Sequence, residues 1–131
     1  MKTAKIIINL PLQTHEVPDL RQAIGWDRRE QDYPALLERC LFHAGCRSDS
    51  GELIAFGYMC GMGLQHGYLE DIIVHPEAQG QGIGQRLVQT LLEQASRNGP
   101  EIVTVTFASE HTSFYQKCGF TTGNGGVWRK E

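Results

Sequence analysis

Gly80, Gly82 and Gly84 stand at alternate positions, just ahead of a stretch in which Ile83, Leu87, Val88, Leu91 and Leu92 fall on one helical face. A helix that begins among glycines exposes unpaired main-chain N–H groups at its positive end, with no side chain in front of them. That arrangement suits a phosphate oxygen. Upstream, Tyr68 to Val74 is rich in β-branched residues and lies between Gly67 and Pro76, so it reads as a strand. Tyr68 to Ala95 is therefore read as strand, glycine-rich loop and helix, a cradle for a phosphate. A plainer reading is a loop that only needs glycine torsions. A dinucleotide fingerprint would be G-x-G-x-x-G, whereas the spacing here is G-x-G-x-G and His75 to Ala78 separate strand from loop. Gly84-Gln85-Arg86 does not supply the Gly-Lys-Ser/Thr of a P-loop.

Two carboxylates and a phenol are the next candidates. Glu70 and Asp71 are adjacent on the strand, and regular alternation would aim only one of them at a given face. Either could take a proton, or one could face solvent while the other bonds to main chain. Tyr115 is neutral at pH 7 and can give a proton, although Phe114 and Phe120 also suit a packed core tyrosine. His66, His75 and His111 are read as surface or loop residues. They share no i, i+4 face, and Cys40, Cys46, Cys60 and Cys118 form no C-x-x-C pair, so no metal site is expected.

Three blocks carry a family resemblance. Gln79-Gly80-Gln81-Gly82-Ile83-Gly84 resembles the acyl-CoA loop of the GNAT acetyltransferase superfamily, Q/R-x-x-G-x-G/A. Ile72-x-Val74-x-Pro76 resembles that family's strand-to-loop lead-in, and Phe114-Tyr115-x-x-x-Gly119-Phe120 its downstream block. The resemblance covers roughly Gly51 to Phe120. It implies direct transfer of an acetyl group from acetyl-CoA to an amine of a small molecule or peptide, without an acyl-enzyme. It implies that N–H groups of Gln79, Gly80, Gln81, Gly82, Ile83 and Gly84 hold the pyrophosphate, and that the edge Ile72, Ile73, Val74 pairs with the pantetheine arm. The N–H of Ile73 or a neighbour would polarise the thioester carbonyl. Tyr115 takes the general-acid place, Glu70 ranks first as base and Asp71 second. Ala108 and His111 stand where relatives carry other residues, so Ser109 is offered as a substitute contact to the cofactor arm. Members of that family often dimerise, so the resemblance admits a homodimer. A non-catalytic acyl-CoA-binding module is the alternative, and a nicotinamide-dependent oxidoreductase a third reading.

The remaining elements must position these groups. Strands are expected over Lys5 to Leu10, Leu41 to Arg47, Glu52 to Met62 and Ile102 to Ala108, and a strand or hairpin over Phe120 to Trp128. Short helices are expected over Asp19 to Ile24, Pro34 to Cys40 and His111 to Cys118. Trp26 is expected to pack a helix on the sheet rather than to wall a pocket. This order fits an α/β (α+β) three-layer sandwich with a mixed, mainly antiparallel sheet. The acceptor pocket is expected from Gly25 to Tyr33 and Thr121 to Trp128.

The 131 residues suggest one domain spanning 1–131, and 40% hydrophobic content supports an ordinary core. A net charge of −3 without a basic block argues against a nucleic-acid surface. No stretch is long enough to cross a bilayer and none reads as an export signal, so a cytoplasmic protein with reduced thiols is expected, with no membrane partner.

Overall fold

The structure, a computed structural model, describes residues 5–130. Five strands form one sheet in chain order: β1 (Ile7–Ile8), β2 (Phe42–Arg47), β3 (Leu53–Gly61), β4 (His66–Val74) and β5 (Ile102–Val105). The first three pairings are antiparallel and β4 with β5 is parallel, the crossover being helix α3 (Ile83–Asn98). Helices α1 (Glu16–Ala23) and α2 (Tyr33–Arg39) lie before β2, and α4 (Thr112–Lys117) follows β5.

Two apolar layers sandwich the sheet. On one face Leu87, Val88, Leu91 and Ala95 of α3, with Tyr115 and Cys118, pack against Ala44, Ala55, Met59 and Leu69. On the other, Val17 and Leu20 of α1 and Tyr33 of α2 pack against Leu53, Phe56, Tyr58 and Ile73. This is the expected three-layer sandwich with a mixed, mainly antiparallel sheet. Small residues on β3 let the layers close: a Cβ on Gly57 would lie 2.4 Å from Cδ1 of Ile72.

Several boundaries differ from expectation, for identifiable reasons. α1 begins three residues before Asp19, because Pro18 falls in its first turn, where no N–H is needed. The Glu16 carboxylate reaches back to the N–H of Gln13 at 2.8 Å and secures that start. β1 shrinks to two residues because Asn9 turns to φ 55° and Pro11 follows. β5 stops at Val105, short of Ala108. Residues 120–128 form neither strand nor hairpin. Gly123, Asn124, Gly125 and Gly126 offer no alternating side chains to hold a register there. That segment instead borders a cavity of about 750 Å³ along the outer edge of β5.

Candidate active site

A bulge in β4 organises the site. Phe56 pairs with Ile73 and Tyr58 with Glu70, so Asp71 and Ile72 together oppose the single residue Gly57. Asp71 takes φ 50°, the left-handed region that glycine occupies at the first position of a G1 bulge. The extra residue resets the alternation. Leu69 and Ile72 point to the α3 layer, whereas Glu70, Asp71 and Ile73 point to the α1–α2 side. The expectation that only one carboxylate would reach a given face is thereby corrected: the bulge puts both on the same one.

The bulge also opens a wedge. Parallel pairing of β4 with β5 ends at Leu69–Val105, so Glu70 to Val74 have β3 on one side only. His75 N–H donates to Ile54 C=O at 2.8 Å, and the alternation this sets turns the main chain of Ile73 toward Phe56. The N–H of Ile73 therefore serves the ladder, and the wedge is left to its neighbours Ile72 and Val74. The carbonyl of Val74 already accepts from Gln79 Nε2 at 2.9 Å. The Gln79 side chain thus closes the loop onto the strand instead of standing out toward a phosphate.

The two carboxylates have different surroundings. Asp71 Oδ2 accepts from Arg21 Nη1 at 2.6 Å and from the Tyr33 hydroxyl, joining α1 and α2 to the bulge. Burial pushes its pKa up against the pull of the Arg21 charge. Arg21 also donates from Nε to Asp27 C=O at 2.6 Å and lies over the rings of Trp26, 5.2 Å from its centroid, and Tyr33, 5.8 Å. Trp26 is 43% exposed, so it is no plug between helix and sheet; it is the outer plate of an arginine stack. Among the described residues Glu70 finds no hydrogen bond or ion pair; it is half-buried beside Tyr58 and pushed up in pKa by burial alone. A half-buried carboxylate without a partner among the described residues, beside the point where β4 parts from β5, is a candidate proton acceptor. Asp71 takes both donors on the one oxygen, Oδ2, and so ties α1 and α2 to the bulge.

The glycine loop fits a diphosphate. Gly80 and Gly82 take φ 82° and 79°, and a Cβ on either would meet nothing within 4 Å, so both face open space. Gly82 caps α3 without a side-chain hydrogen bond, leaving the first-turn N–H groups to an incoming anion. Gly84 acts differently. A Cβ there would sit 3.3 Å from Phe114, so the glycine lets α4 approach α3. Gly82→Ala should lower CoA affinity by about tenfold or more and cost roughly 1–2 kcal/mol of stability, because the methyl group enters the cradle and strains a left-handed position. Isothermal calorimetry and a denaturation midpoint read the two effects.

Tyr115 lies in the α3 layer, on the opposite face of the sheet from Glu70. Phe107 stacks on it at 4.7 Å, and Phe114 and Phe120 meet it edge-on at 4.9 and 5.7 Å. Burial pushes the phenol up to about 12. No described residue bonds to its hydroxyl, yet no buried side-chain oxygen among the described residues lacks a partner, so the oxygen opens to the surface. Ser109 lies elsewhere. It is exposed and lines the cavity along the outer edge of β5, the side away from β4, so its expected contact to the cofactor arm finds no support in its position. His75 caps the turn Pro76–Ala78 by accepting from Glu77 N–H at 3.1 Å, and His66 and His111 are exposed. Arg21, Tyr33 and the bulge escaped sequence reasoning, since their meeting depends on an irregularity in the strand.

Residues 38–122 match the family model described as an acetyltransferase (GNAT) domain. A glucosamine 6-phosphate N-acetyltransferase of Oryza sativa subsp. japonica is 41% identical over 58 residues, covering 44% of this chain and 35% of that protein. An uncharacterized N-acetyltransferase ycf52 of Gracilaria tenuistipitata var. liui is 24% identical over 123 residues, 91% of this chain and 68% of its own length. The chain thus spans about a third of the rice protein's length and about two thirds of the algal one's. Among solved structures, a probable acetyltransferase of meticillin-resistant Staphylococcus aureus superposes with a TM-score of 0.84 at 21% identity, covering 98% of this chain and 100% of the other. Glucosamine-6-phosphate N-acetyltransferase of Arabidopsis thaliana gives 0.80 at 17% identity, over 98% and 99%.

Proposed function

The chain belongs to the GNAT acetyltransferases, and from that premise we propose that it transfers the acetyl group of acetyl-CoA to a primary amine by direct attack in a ternary complex. The observation that carries this reading is Glu70, half-buried and without a partner among the described residues, beside the point where β4 parts from β5. Glu70 takes a proton from the substrate ammonium, directly or through one water, and frees the nitrogen lone pair. The nitrogen then bonds to the thioester carbon, and the C–S bond breaks to give an amide and the CoA thiol. Main-chain donors of Gly80 to Gly84 hold the pyrophosphate, and those of Ile72 and Val74 pair with the pantetheine amides. Glu70 and Tyr115 lie on opposite faces of the sheet, which supports a path where amine and thioester meet across the wedge.

A phenol held at about 12 stays protonated at any working pH. It therefore serves best as a hydrogen-bond donor to the leaving sulphur as charge builds there. Tyr115→Phe should lower kcat by about 10²-fold and leave the KM for acetyl-CoA nearly unchanged, read by steady-state kinetics.

The test of the whole reading is release of free thiol from acetyl-CoA on adding each of a panel of primary amines. Glucosamine 6-phosphate, the acceptor in the names of the rice and Arabidopsis proteins, belongs in that panel. Amine-dependent thiol release supports transfer. Tight CoA binding with no release across the panel would leave an acyl-CoA-binding module in its place.

A further inference from the structure

The sheet face that carries Glu70 is covered on one half only. α1 and α2 lie over β3 and the end of β4 through Val17, Leu20, Tyr33 and Leu36. Cross-strand partners share a face, so Tyr58 stands beside Glu70, Cys60 beside Tyr68 and Thr104, and His66 beside Ile102. Along the middle row, cover is lost from left to right. Cys60 is partly buried in the α1–α2 layer, Tyr68 is 45% exposed and Thr104 is open. Ile102 is 52% exposed on the same face. Exposed Tyr68 therefore stands two residues from Glu70, with Thr104, His66 and Ile102 open beyond it toward one end of the sheet.

Arg21 of α1 and the arginines between α1 and α2 have their charge engaged. Arg21, bonded to the neighbouring Asp71, is shared among that carboxylate, the Asp27 carbonyl and two aromatic rings. Arg28 is bound by Asp19 at 2.7 Å and Gln22 at 2.8 Å, and Arg29 pairs with Asp32 at 2.8 Å. A phosphate on the acceptor would have to displace these contacts. A protonated amine meets the Glu70 carboxylate, and an apolar body meets Tyr68 and Ile102.

Resting on the acetyl-transfer reading, we propose that the acceptor is a small amine with an aromatic body, which lies along Tyr68 and Ile102 and presents its nitrogen to Glu70. Thiol release is compared for phenethylamine, tryptamine, ethanolamine and glucosamine 6-phosphate with the full chain. The aryl amines should exceed ethanolamine in kcat/KM by about 10²-fold, the value of a well-filled apolar contact over several carbons. Tyr68→Ser should cut the ratio of phenethylamine to ethanolamine about tenfold, mainly through KM, while Tyr68→Phe keeps it. Glucosamine 6-phosphate or ethanolamine turning over at least as well as the aryl amines overturns this inference and leaves acetyl transfer standing. So does a Tyr68→Ser enzyme with an unchanged ratio. No thiol release with any of the four amines or the wider panel overturns the acetyl-transfer reading itself.

Discussion

Glu70→Gln should lower kcat/KM for the amine by about 10²–10⁴-fold, the usual worth of a positioned base, with CoA affinity by calorimetry unchanged. Glutamine keeps the size and hydrogen-bonding shape of the side chain but cannot take the proton. The wild-type rate should rise with pH along an acid limb displaced above the ordinary carboxylate range, since burial raises the Glu70 pKa with nothing opposing it. The variant should lack that limb. Stability moves the other way. The folded pKa lies above the unfolded one, so the native state holds the proton longer, and stability is lost as pH rises through the folded value. At neutral pH the desolvated charge thus destabilises the wild type, and Glu70→Gln should melt at a higher temperature. The difference should vanish below the ordinary carboxylate pKa. A variant that lost activity and stability together would mark Glu70 as a structural residue.

Asp71→Ala should destabilise the fold by about 3–5 kcal/mol, measured as a shift in the denaturant midpoint. The side chains of Arg21 and Asp71 are only 13% and 16% exposed. Removing the carboxylate leaves the Arg21 guanidinium without its counter-charge, although Nε keeps the Asp27 carbonyl, leaves the Tyr33 hydroxyl without its acceptor, and unlinks both α1 and α2 from the bulge. Asp71→Asn keeps an acceptor oxygen at the same place and should lose much less stability. This pair of variants separates the roles of the two carboxylates. Were Asp71 the base, the asparagine variant would fold well and lose its rate entirely; as an anchor it should retain most of its turnover.

The glycine loop and the helix behind it are legible in the sequence because their signals are local. Three glycines at alternate positions and an apolar stripe at helical spacing need no knowledge of the rest of the chain. The same holds for the phenylalanines around Tyr115, which lie beside it in sequence and stack on it in the fold. The bulge is not legible. A carboxylate at φ 50° in a strand of β-branched residues contradicts local preference, and its stabilising contacts come from Arg21 and Tyr33, 50 and 38 residues away. Once alternation fails at Asp71, no pattern argument can say which way Glu70 points. Trp26 departs from expectation for a related reason. Its partner is a guanidinium five residues earlier, and a cation under a ring lets a large aromatic stay in water. The tail from Phe120 departs because β-branched Thr121 and Thr122 invite a strand that the following glycines cannot continue.

The order of strands has a kinetic side. β2, β3 and β4 meet through short turns, so that antiparallel part can zip up early. β5 joins only after the sixteen residues of α3 have wound and crossed over, and it is held by four residue pairs. On the proposed reading, the thioester lies along the seam between the antiparallel part and the four-pair attachment of β5. A molecule bridging that seam would act as a rivet, so bound CoA should raise the denaturation midpoint as its concentration climbs above its dissociation constant.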